Sequence, residues 1–120
     1  MESWDVEVTD QFISCWDELP LLDRRSVSAK IELLEEKGPN LGFPHTSGVQ
    51  GSRHGNMREL RIQRGGIPIR IFYAFDPRRT AILLIGGAKK GDFRFYARYL
   101  PVADDLYDEH LEELREEGKL

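Results

Sequence analysis

Three runs rich in β-branched and aromatic residues, at 57–63, 67–75 and 81–87, occupy the centre of the chain. Short breaks that contain glycine or proline separate them, and this pattern predicts an antiparallel meander of three strands. Side chains alternate between the two faces of a strand. One face of the middle strand is therefore predicted to carry Ile69, Ile71, Tyr73 and Phe75. The other face is predicted to carry Arg70, Phe72 and Ala74. Since neither set is polar throughout, helices are expected to cover at least one face of the sheet.

The N-terminal segment predicts a strand that leads into a helix. Residues 4–8 alternate apolar and acidic side chains, as in a strand with one buried face. Thr9 or Asp10 is a suitable N-cap for the helix that follows, and Pro20 ends it. The apolar residues of this helix follow helical spacing at Phe12, Trp16 and Leu19.

Two longer helices are predicted on either side of the meander. One covers 21–37, with an inward face formed by Val27, Ile31 and Leu34. The other covers 102–117 and begins just after Pro101. Its apolar stripe consists of Ala103, Leu106, Tyr107, His110, Leu111 and Leu114. His110 on this stripe is interpreted as a packed or boundary histidine.

Residues 39–55 contain much of the glycine and proline of the chain and are predicted to form a loop. His45 and His54 lie in this loop, without a third ligand at a recognisable metal-binding spacing. Both are interpreted as solvated histidines, although His54 adjoins the basic strands and could reach a bound phosphate.

These elements predict one domain over residues 1–120, of the α+β class. It consists of a small twisted antiparallel sheet, made of the N-terminal strand plus the three-strand meander, packed against an N-terminal helical hairpin, with a C-terminal helix. Trp4 and Trp16 are expected in the core. Cys15 is expected to be a half-buried apolar residue on the first helix.

Composition excludes several classes of protein. No apolar run approaches the roughly 20 residues of a membrane span. The first ten residues are acidic and polar, unlike a secretory signal, so a cytoplasmic location without membrane contact is predicted. The single cysteine cannot form an internal disulfide or a thiolate metal site. No cofactor and no metal is predicted.

Charge is segregated along the chain, although the net charge is only −4. Residues 53–98 hold 11 Lys/Arg against 3 Asp/Glu, and acidic segments lie on both sides of them. Such a basic block favours contact with a polyanion. The alternative is that basic strands pair with acidic helices inside the fold, and the two interpretations are compatible.

Basic and aromatic residues interleave from Ala88 to Tyr99, a pattern that suits single-stranded nucleic acid. The glycines and lysines at 86–91 do not match a phosphate-binding loop, because no Ser or Thr follows the lysines. Paired carboxylates are also missing from the basic segment. Its cationic and phenolic groups could instead cleave RNA without a metal, by orienting the ribose 2′-hydroxyl and neutralising the phosphorane. Arg78 and Arg79, in a tight turn, are expected to be solvated or to steer phosphate.

Several of these motifs resemble the HigB-like branch of the RelE/ParE toxin superfamily. The resemblance rests on the order Glu59-Leu60-Arg61, then Arg70-Ile71-Phe72-Tyr73, then Gly86-Gly87 and Lys89-Lys90. It also includes the helical hairpin and the C-terminal helix. It implies a toxin of a toxin–antitoxin operon that cleaves mRNA on the ribosome. A helix-turn-helix antitoxin would be its partner and its only link to operator DNA.

The resemblance also implies roles for individual residues. Arg61, Arg70, Lys90 (or Lys89) and Tyr96 correspond to residues that act on the scissile phosphate or its nucleophile. The RNA-binding set is predicted to be Arg58, Tyr73, Lys89, Arg94, Arg98 and His54. Lysine stands here where RelE has arginine, which is not equivalent in bidentate phosphate binding. For the His and Asp used by some HigB enzymes, only His54 and Asp92 are nearby candidates.

Two other functions fit the same sequence. A ParE-like protein would bind DNA gyrase without performing chemistry, and it shares the fold. A nucleic-acid-binding module would bind with steep salt dependence and no catalysis. Lys89, Lys90 and Tyr96 favour the nuclease, because a protein that only binds has no need of them.

Overall fold

A five-stranded sheet forms the centre of the structure, a computed structural model that describes residues 3–120. The strands are β1 (Val6–Val8), β2 (Thr46–Gly48), β3 (Arg58–Arg64), β4 (Ile67–Phe75) and β5 (Ala81–Ala88). The helices are α1 (Asp10–Glu18), α2 (Leu21–Lys37) and α3 (Phe95–Glu116), with a short 3-10 helix at Gly38–Asn40. The predicted α+β class, helical hairpin, meander and C-terminal helix are confirmed.

The sheet is mixed, whereas the sequence predicted an antiparallel one. Its strand order is β1-β5-β4-β3-β2, and β3, β4 and β5 form the expected antiparallel meander. β1 runs parallel to β5, with Val6 opposite Ala81. Parallel strands need a long crossover connection. The chain between β1 and β5 provides one, so pairing direction here depends on tertiary structure that no local pattern contains.

β2 lies within the segment that was predicted to be only a loop. It pairs with β3 in antiparallel register, with Thr46 opposite Leu60. The Thr46 hydroxyl donates to the Glu59 carbonyl oxygen at 2.9 Å and lies 2.7 Å from the Tyr73 hydroxyl. Three residues are too few to show alternation. Backbone pairing with β3 and the buried Thr46 hydroxyl, rather than a periodic pattern, join the strand to the sheet.

Helices cover both faces of the sheet, whereas the sequence predicted cover on at least one. The core on the hairpin side includes Phe12, Val27, Leu34, Leu60, Ile69, Ile71 and Tyr73. The core on the α3 side includes Met57, Phe72, Ala74, Leu84, Phe95, Leu100, Ala103 and Leu106. The alternation predicted for β4 is therefore confirmed. Among residues 3–120, no helix is long and apolar enough to cross a membrane.

Local sequence signals determine the ends of the hairpin helices. Thr9 caps α1 by accepting a hydrogen bond from the backbone N–H of Phe12 at 3.0 Å. α2 ends at Gly38, which has φ of 57° and lies against the ring of Trp4. Trp4 also packs edge-on against Phe75, with ring centres 5.8 Å apart. Trp16 packs on the hairpin-side core, and Cys15 is half-buried, as predicted.

The last helix begins at Phe95, seven residues before the predicted start. Pro101 lies inside it, where proline removes one helical hydrogen bond. Phe95 and Leu100 are both buried against the sheet. Their burial, worth roughly 1.5–3 kcal/mol for each side chain, outweighs the lost bond. The last five residues of the interleaved segment, 95–99, are therefore helical, and Phe95 belongs to the core and not to a nucleic-acid surface.

Replacing Gly86 with alanine is expected to lower the free energy of unfolding by about 3 kcal/mol. A Cβ at this position would lie 2.4 Å from the Arg70 carbonyl oxygen and 2.8 Å from the Ile71 Cα. Both are backbone atoms of β4, which cannot move aside without breaking the sheet. Gly87→Ala is the matched control, since its Cβ would meet only the Tyr99 side chain, at 3.6 Å. Urea unfolding of both variants measures the difference, and equal stabilities would contradict the expectation.

Candidate functional site

The face of the sheet that packs on α3 continues into a polar area. In the ladder between β3 and β4, Arg61 lies opposite Arg70 and Glu59 lies opposite Phe72, so these side chains share one face. Tyr96 from the first turn of α3 and Lys89 from the end of β5 meet them there. We call Glu59, Arg61, Arg70, Lys89 and Tyr96 the Glu59 cluster.

Glu59 is the centre of the cluster. Its side chain is only 5% exposed. Oε1 accepts a hydrogen bond from the Tyr96 hydroxyl at 2.6 Å. Oε2 accepts from Arg61 Nη1 at 3.1 Å and from the Ser47 hydroxyl at 3.0 Å. One carboxylate therefore orients a phenol, a guanidinium and a hydroxyl at the same point of the surface.

Arg70 brings a second guanidinium to the same carboxylate. Its side chain is 8% exposed, and Nε lies 3.8 Å from Glu59 Oε2. Nη1 donates to the carbonyl oxygen of Ile69 at 3.0 Å. Within residues 3–120, Nε has no hydrogen-bond partner. A buried donor left unpaired costs about 1–3 kcal/mol, and a functional role is one reason for a protein to retain such a group.

Tyr96 is held in its protonated form. Burial, and then the hydrogen bond to Glu59, raise the pKa of Tyr96 to about 12. Lys89 Nζ lies 3.4 Å from the Tyr96 oxygen and 4.9 Å from the ring centre. At neutral pH the phenol is therefore a hydrogen-bond and proton donor, and it cannot serve as a base.

Lys90, Arg94 and Arg98 lie outside the Glu59 cluster. Lys90 is exposed in the turn that follows β5, so the structure brings Lys89 and not Lys90 to the cluster. Arg94 and Arg98 are exposed at the start of α3. Arg98 pairs with Asp92 at 2.7 Å and stacks over the ring of Tyr99. Asp92 therefore contacts this arginine and not the cluster.

His54 also lies apart from the predicted RNA surface. Its Nε2 lies 2.7 Å from Asp108 on α3, and its ring packs edge-on against Tyr107. Arg53 pairs with the same carboxylate and with Asp105. Arg53 and Asp108 hold part of the basic block against the acidic helix. Charge pairing inside the fold thus accounts for some of the segregated charge.

Arg58 and Tyr73 lie on the opposite, hairpin side of the sheet, where they face each other across β3 and β4. Tyr73 is buried, and its hydroxyl contacts Thr46. The prediction that Tyr73 contacts RNA is therefore wrong for this structure, because the residue belongs to the core. In the following turn, Arg78 is held by Glu7 and Asp76.

Glu59 and Ser47 were not among the predicted site residues. Strand alternation could have identified Glu59, since it shares a face with Arg61. Ser47 gives no signal in the sequence, because its strand was not predicted. Elsewhere, His110 is a boundary histidine, as predicted, with Nε2 2.8 Å from Asp76. Within residues 3–120, no group of three or more His, Cys, Asp or Glu could hold a metal ion.

A cleft of about 480 Å³ lies away from the Glu59 cluster, between the start of α1 and the end of α3. Acidic residues dominate its charged lining, because five carboxylates, Glu7, Asp10, Glu109, Glu113 and Glu117, outnumber Arg78 and Lys119. Such a lining repels a polyanion. The Glu59 cluster, rather than this cleft, is the candidate site.

The sequence from 14 to 108 matches the model of the phage-derived Gp49-like family (DUF891). The chain belongs to the Gp49-like family. Two proteins of Mycobacterium tuberculosis are similar to it. The candidate toxin HigB2 is 45% identical over 113 residues, which are 90% of this chain and 54% of HigB2. The candidate toxin HigB3 is 50% identical over 80 residues, which are 66% of this chain and 68% of HigB3.

This Gp49-like chain thus spans about half the length of HigB2. The predicted membership of the HigB-like branch is confirmed by both relatives. Among solved structures, a double arginine-to-alanine mutant of Escherichia coli toxin RelE in the free state has the same fold. Its TM-score is 0.57 at 10% identity, over 89% of this chain and 97% of RelE. The matching chain of the intact E. coli RelBE toxin–antitoxin complex has a TM-score of 0.53 at 10% identity, over 70% of this chain and 94% of the RelBE chain.

Proposed function

We propose that this protein is the toxin of a type II toxin–antitoxin system and cleaves ribosome-bound mRNA without a metal ion. The Glu59 cluster supports this proposal, because it combines a carboxylate, three cations and a protonated phenol on one surface. The toxin names of two relatives support it as well. A cytoplasmic location, where mRNA is translated, is part of the proposal.

In the proposed reaction, the ribose 2′-hydroxyl attacks the adjacent phosphorus. A bond from O2′ to phosphorus forms and the bond to the 5′-oxygen breaks, which leaves a 2′,3′-cyclic phosphate and a 5′-hydroxyl. Glu59 accepts the proton of the 2′-hydroxyl, and Tyr96 donates a proton to the departing 5′-oxygen. The 2.6 Å hydrogen bond between them then returns the proton from Glu59 to Tyr96.

The cations stabilise the charge that develops on the phosphate. Arg61 and Lys89 are half-buried beside the acid and the phenol, so they can approach a phosphate oxygen while staying charged. Arg70 Nη1 donates to the carbonyl oxygens of Ile62 and Ile69, so its guanidinium is not free to bind phosphate through both of its terminal nitrogens. Its unpaired Nε–H can still donate one hydrogen bond towards the cluster. Arg70 is therefore assigned to hold Glu59 in place and to contribute positive potential.

The proposed partner is a helix-turn-helix antitoxin that covers the basic surface. Acidic segments of such a protein would be attracted to Arg61 and Lys89 by their charge. The RelBE complex, whose toxin has the same fold, is a toxin–antitoxin assembly and supports this part of the proposal. Contact with operator DNA would occur only through the antitoxin.

Mapping RNA 5′ ends after brief induction tests the proposed function. New 5′-hydroxyl ends within translated reading frames are expected within minutes, before DNA damage is detectable. Induction of a DNA-damage response without new RNA ends would instead identify a gyrase inhibitor. Growth inhibition with neither signal would contradict both functions.

Lys89→Ala is expected to lower the yield of new 5′ ends by roughly 100-fold. Lys90→Ala, one residue further along, is expected to lower it by roughly tenfold or less, since an exposed charge is screened by salt. The difference follows from the 3.4 Å distance between Lys89 Nζ and the Tyr96 hydroxyl. A larger loss with Lys90→Ala than with Lys89→Ala would show that the turn rearranges on the substrate and that the assignment of Lys89 is wrong.

A further inference from the structure

Phe43 holds its ring in solvent beside the Glu59 cluster. The residue is 75% exposed. The centre of its ring lies 5.2 Å from Cζ of Arg61. Arg61 in turn donates a hydrogen bond to Glu59. Phe43 is therefore separated from the proposed catalytic carboxylate by a single side chain.

The segment that carries Phe43 is fixed at both ends. On one side, Leu41 is buried in the hairpin-side core. On the other, the backbone N–H of His45 donates to the Gly42 carbonyl oxygen at 3.0 Å, and the His45 carbonyl accepts from the Arg61 N–H at 2.9 Å. The ring is thus exposed on a rigid support. Little conformational entropy would be lost when a ligand packs on it.

A single exposed apolar residue needs no explanation by itself. Leu21, which is 64% exposed on the helical hairpin, is an example. Phe43 differs in its neighbour, because an aromatic ring and a guanidinium side by side match the two parts of a nucleotide. The cation can bind the phosphate while the ring stacks on the base.

We propose that Phe43 stacks on an unpaired base next to the scissile phosphate, while Arg61 contacts that phosphate. This inference rests on the proposed function and adds to it a residue that positions the substrate. A base inside a duplex is already stacked between its neighbours, so it cannot reach the ring. Phe43 would then select single-stranded RNA and position its phosphate at Glu59.

The experiment compares purified wild-type protein with Phe43→Ala, Phe43→Leu, Phe43→Trp and the control Leu21→Ala, on ribosomes programmed with a defined mRNA. Phe43→Ala and Phe43→Leu are expected to lower kcat/KM for cleavage by roughly 5- to 150-fold, the effect of one base–aromatic stack. Phe43→Trp and Leu21→Ala are expected to stay close to wild type. Leucine keeps the bulk of the side chain without a π-face, so it separates stacking from packing.

A spectroscopic measurement reports stacking directly. The mRNA carries 2-aminopurine beside the scissile bond and a 2′-deoxy substitution that prevents cleavage. The fluorescence of the 2-aminopurine is expected to be quenched by wild-type protein and by Phe43→Trp, and to remain high with Phe43→Ala. Thermal unfolding of each variant verifies that the fold is intact.

The outcomes separate this inference from the proposed function. If wild-type protein cleaves and Phe43→Ala cleaves equally well, the inference is overturned while the proposed function stands. If wild-type protein does not cleave mRNA, both are overturned. If Phe43→Ala cleaves normally but is no longer neutralised by the co-expressed antitoxin, the ring binds a protein and not a base, and the inference is wrong.

Discussion

Glu59→Gln is expected to lower the rate of mRNA cleavage by roughly 100- to 10,000-fold, the range attributed to a positioned acid or base. Glutamine has the same shape as glutamate and can still accept the hydrogen bond that Tyr96 donates at 2.6 Å. It cannot take a proton from the 2′-hydroxyl. The measurement is single-turnover cleavage on programmed ribosomes, with enzyme in excess, so that substrate affinity does not limit the rate.

Asp92→Asn is the matched control for this variant. Asp92 is the other acid near the start of α3, and it pairs with Arg98 rather than with the Glu59 cluster. Its replacement is expected to leave the single-turnover rate unchanged. A large loss with Asp92→Asn and a small one with Glu59→Gln would reassign the general base to Asp92. Because Glu59 also faces the buried Arg70, circular dichroism must show that both variants are folded.

Asp76→Asn is expected to lower the free energy of unfolding by about 3 kcal/mol, as breaking a buried charged network does. The Asp76 side chain is fully buried, and Oδ2 accepts from Arg78 Nε at 2.9 Å and contacts His110 Nε2 at 2.8 Å. Oδ1 accepts from the backbone N–H groups of Arg78 and Thr80. This carboxylate therefore joins the turn between β4 and β5 to α3.

The loss is expected to depend on pH in a defined direction. Burial alone would raise the pKa of Asp76, but hydrogen bonds from His110, Arg78 and Thr80 outweigh it, so the pKa of the folded state lies below the ordinary value. The stabilisation is thus complete above about pH 4, the ordinary aspartate value, and is lost as the pH falls through the lowered folded-state pKa. The stability difference between wild type and Asp76→Asn should therefore shrink below about pH 4.

Urea unfolding at a series of pH values measures this dependence. Glu112→Gln is the control, because Glu112 pairs with Arg115 on the exposed face of α3. Its replacement is expected to change the unfolding free energy by about 0.5 kcal/mol or less at every pH. A difference between wild type and Asp76→Asn that stays constant down to pH 2 would show that the charge of Asp76 does not stabilise the fold.

Local patterns predicted the parts of the fold that local interactions determine. Alternation along β4 separated Ile69 and Ile71 from Phe72, and the Thr9 cap and Gly38 marked helix ends. The parallel pairing of β1, the strand at β2 and the early start of α3 depend on contacts between distant segments. Pro101 in particular signals a helix start, and only the burial of Phe95 overrides it.

The sequence also predicted only part of the candidate site. Arg61, Arg70 and Tyr96 were predicted and lie together, although their catalytic roles remain proposals. The choice between Lys89 and Lys90 depends on which face of the sheet each side chain occupies at the end of β5. Ala88 pairs with Ile69, which faces the helical hairpin, so the next residue, Lys89, faces α3. Tyr73 has a ring and a hydroxyl that suit RNA contact, but it shares a face of β4 with Ile69 and Ile71 and lies with them in the core.

The parallel pairing of β1 has a consequence for synthesis of the protein. The Thr9 hydroxyl, directly after β1, donates to the carbonyl oxygen of Leu84, 75 residues later. β1 therefore has no sheet partner until β5 has been translated. Tyr96, which completes the Glu59 cluster, emerges later still. A growing chain that has not yet reached Tyr96 thus lacks the complete Glu59 cluster.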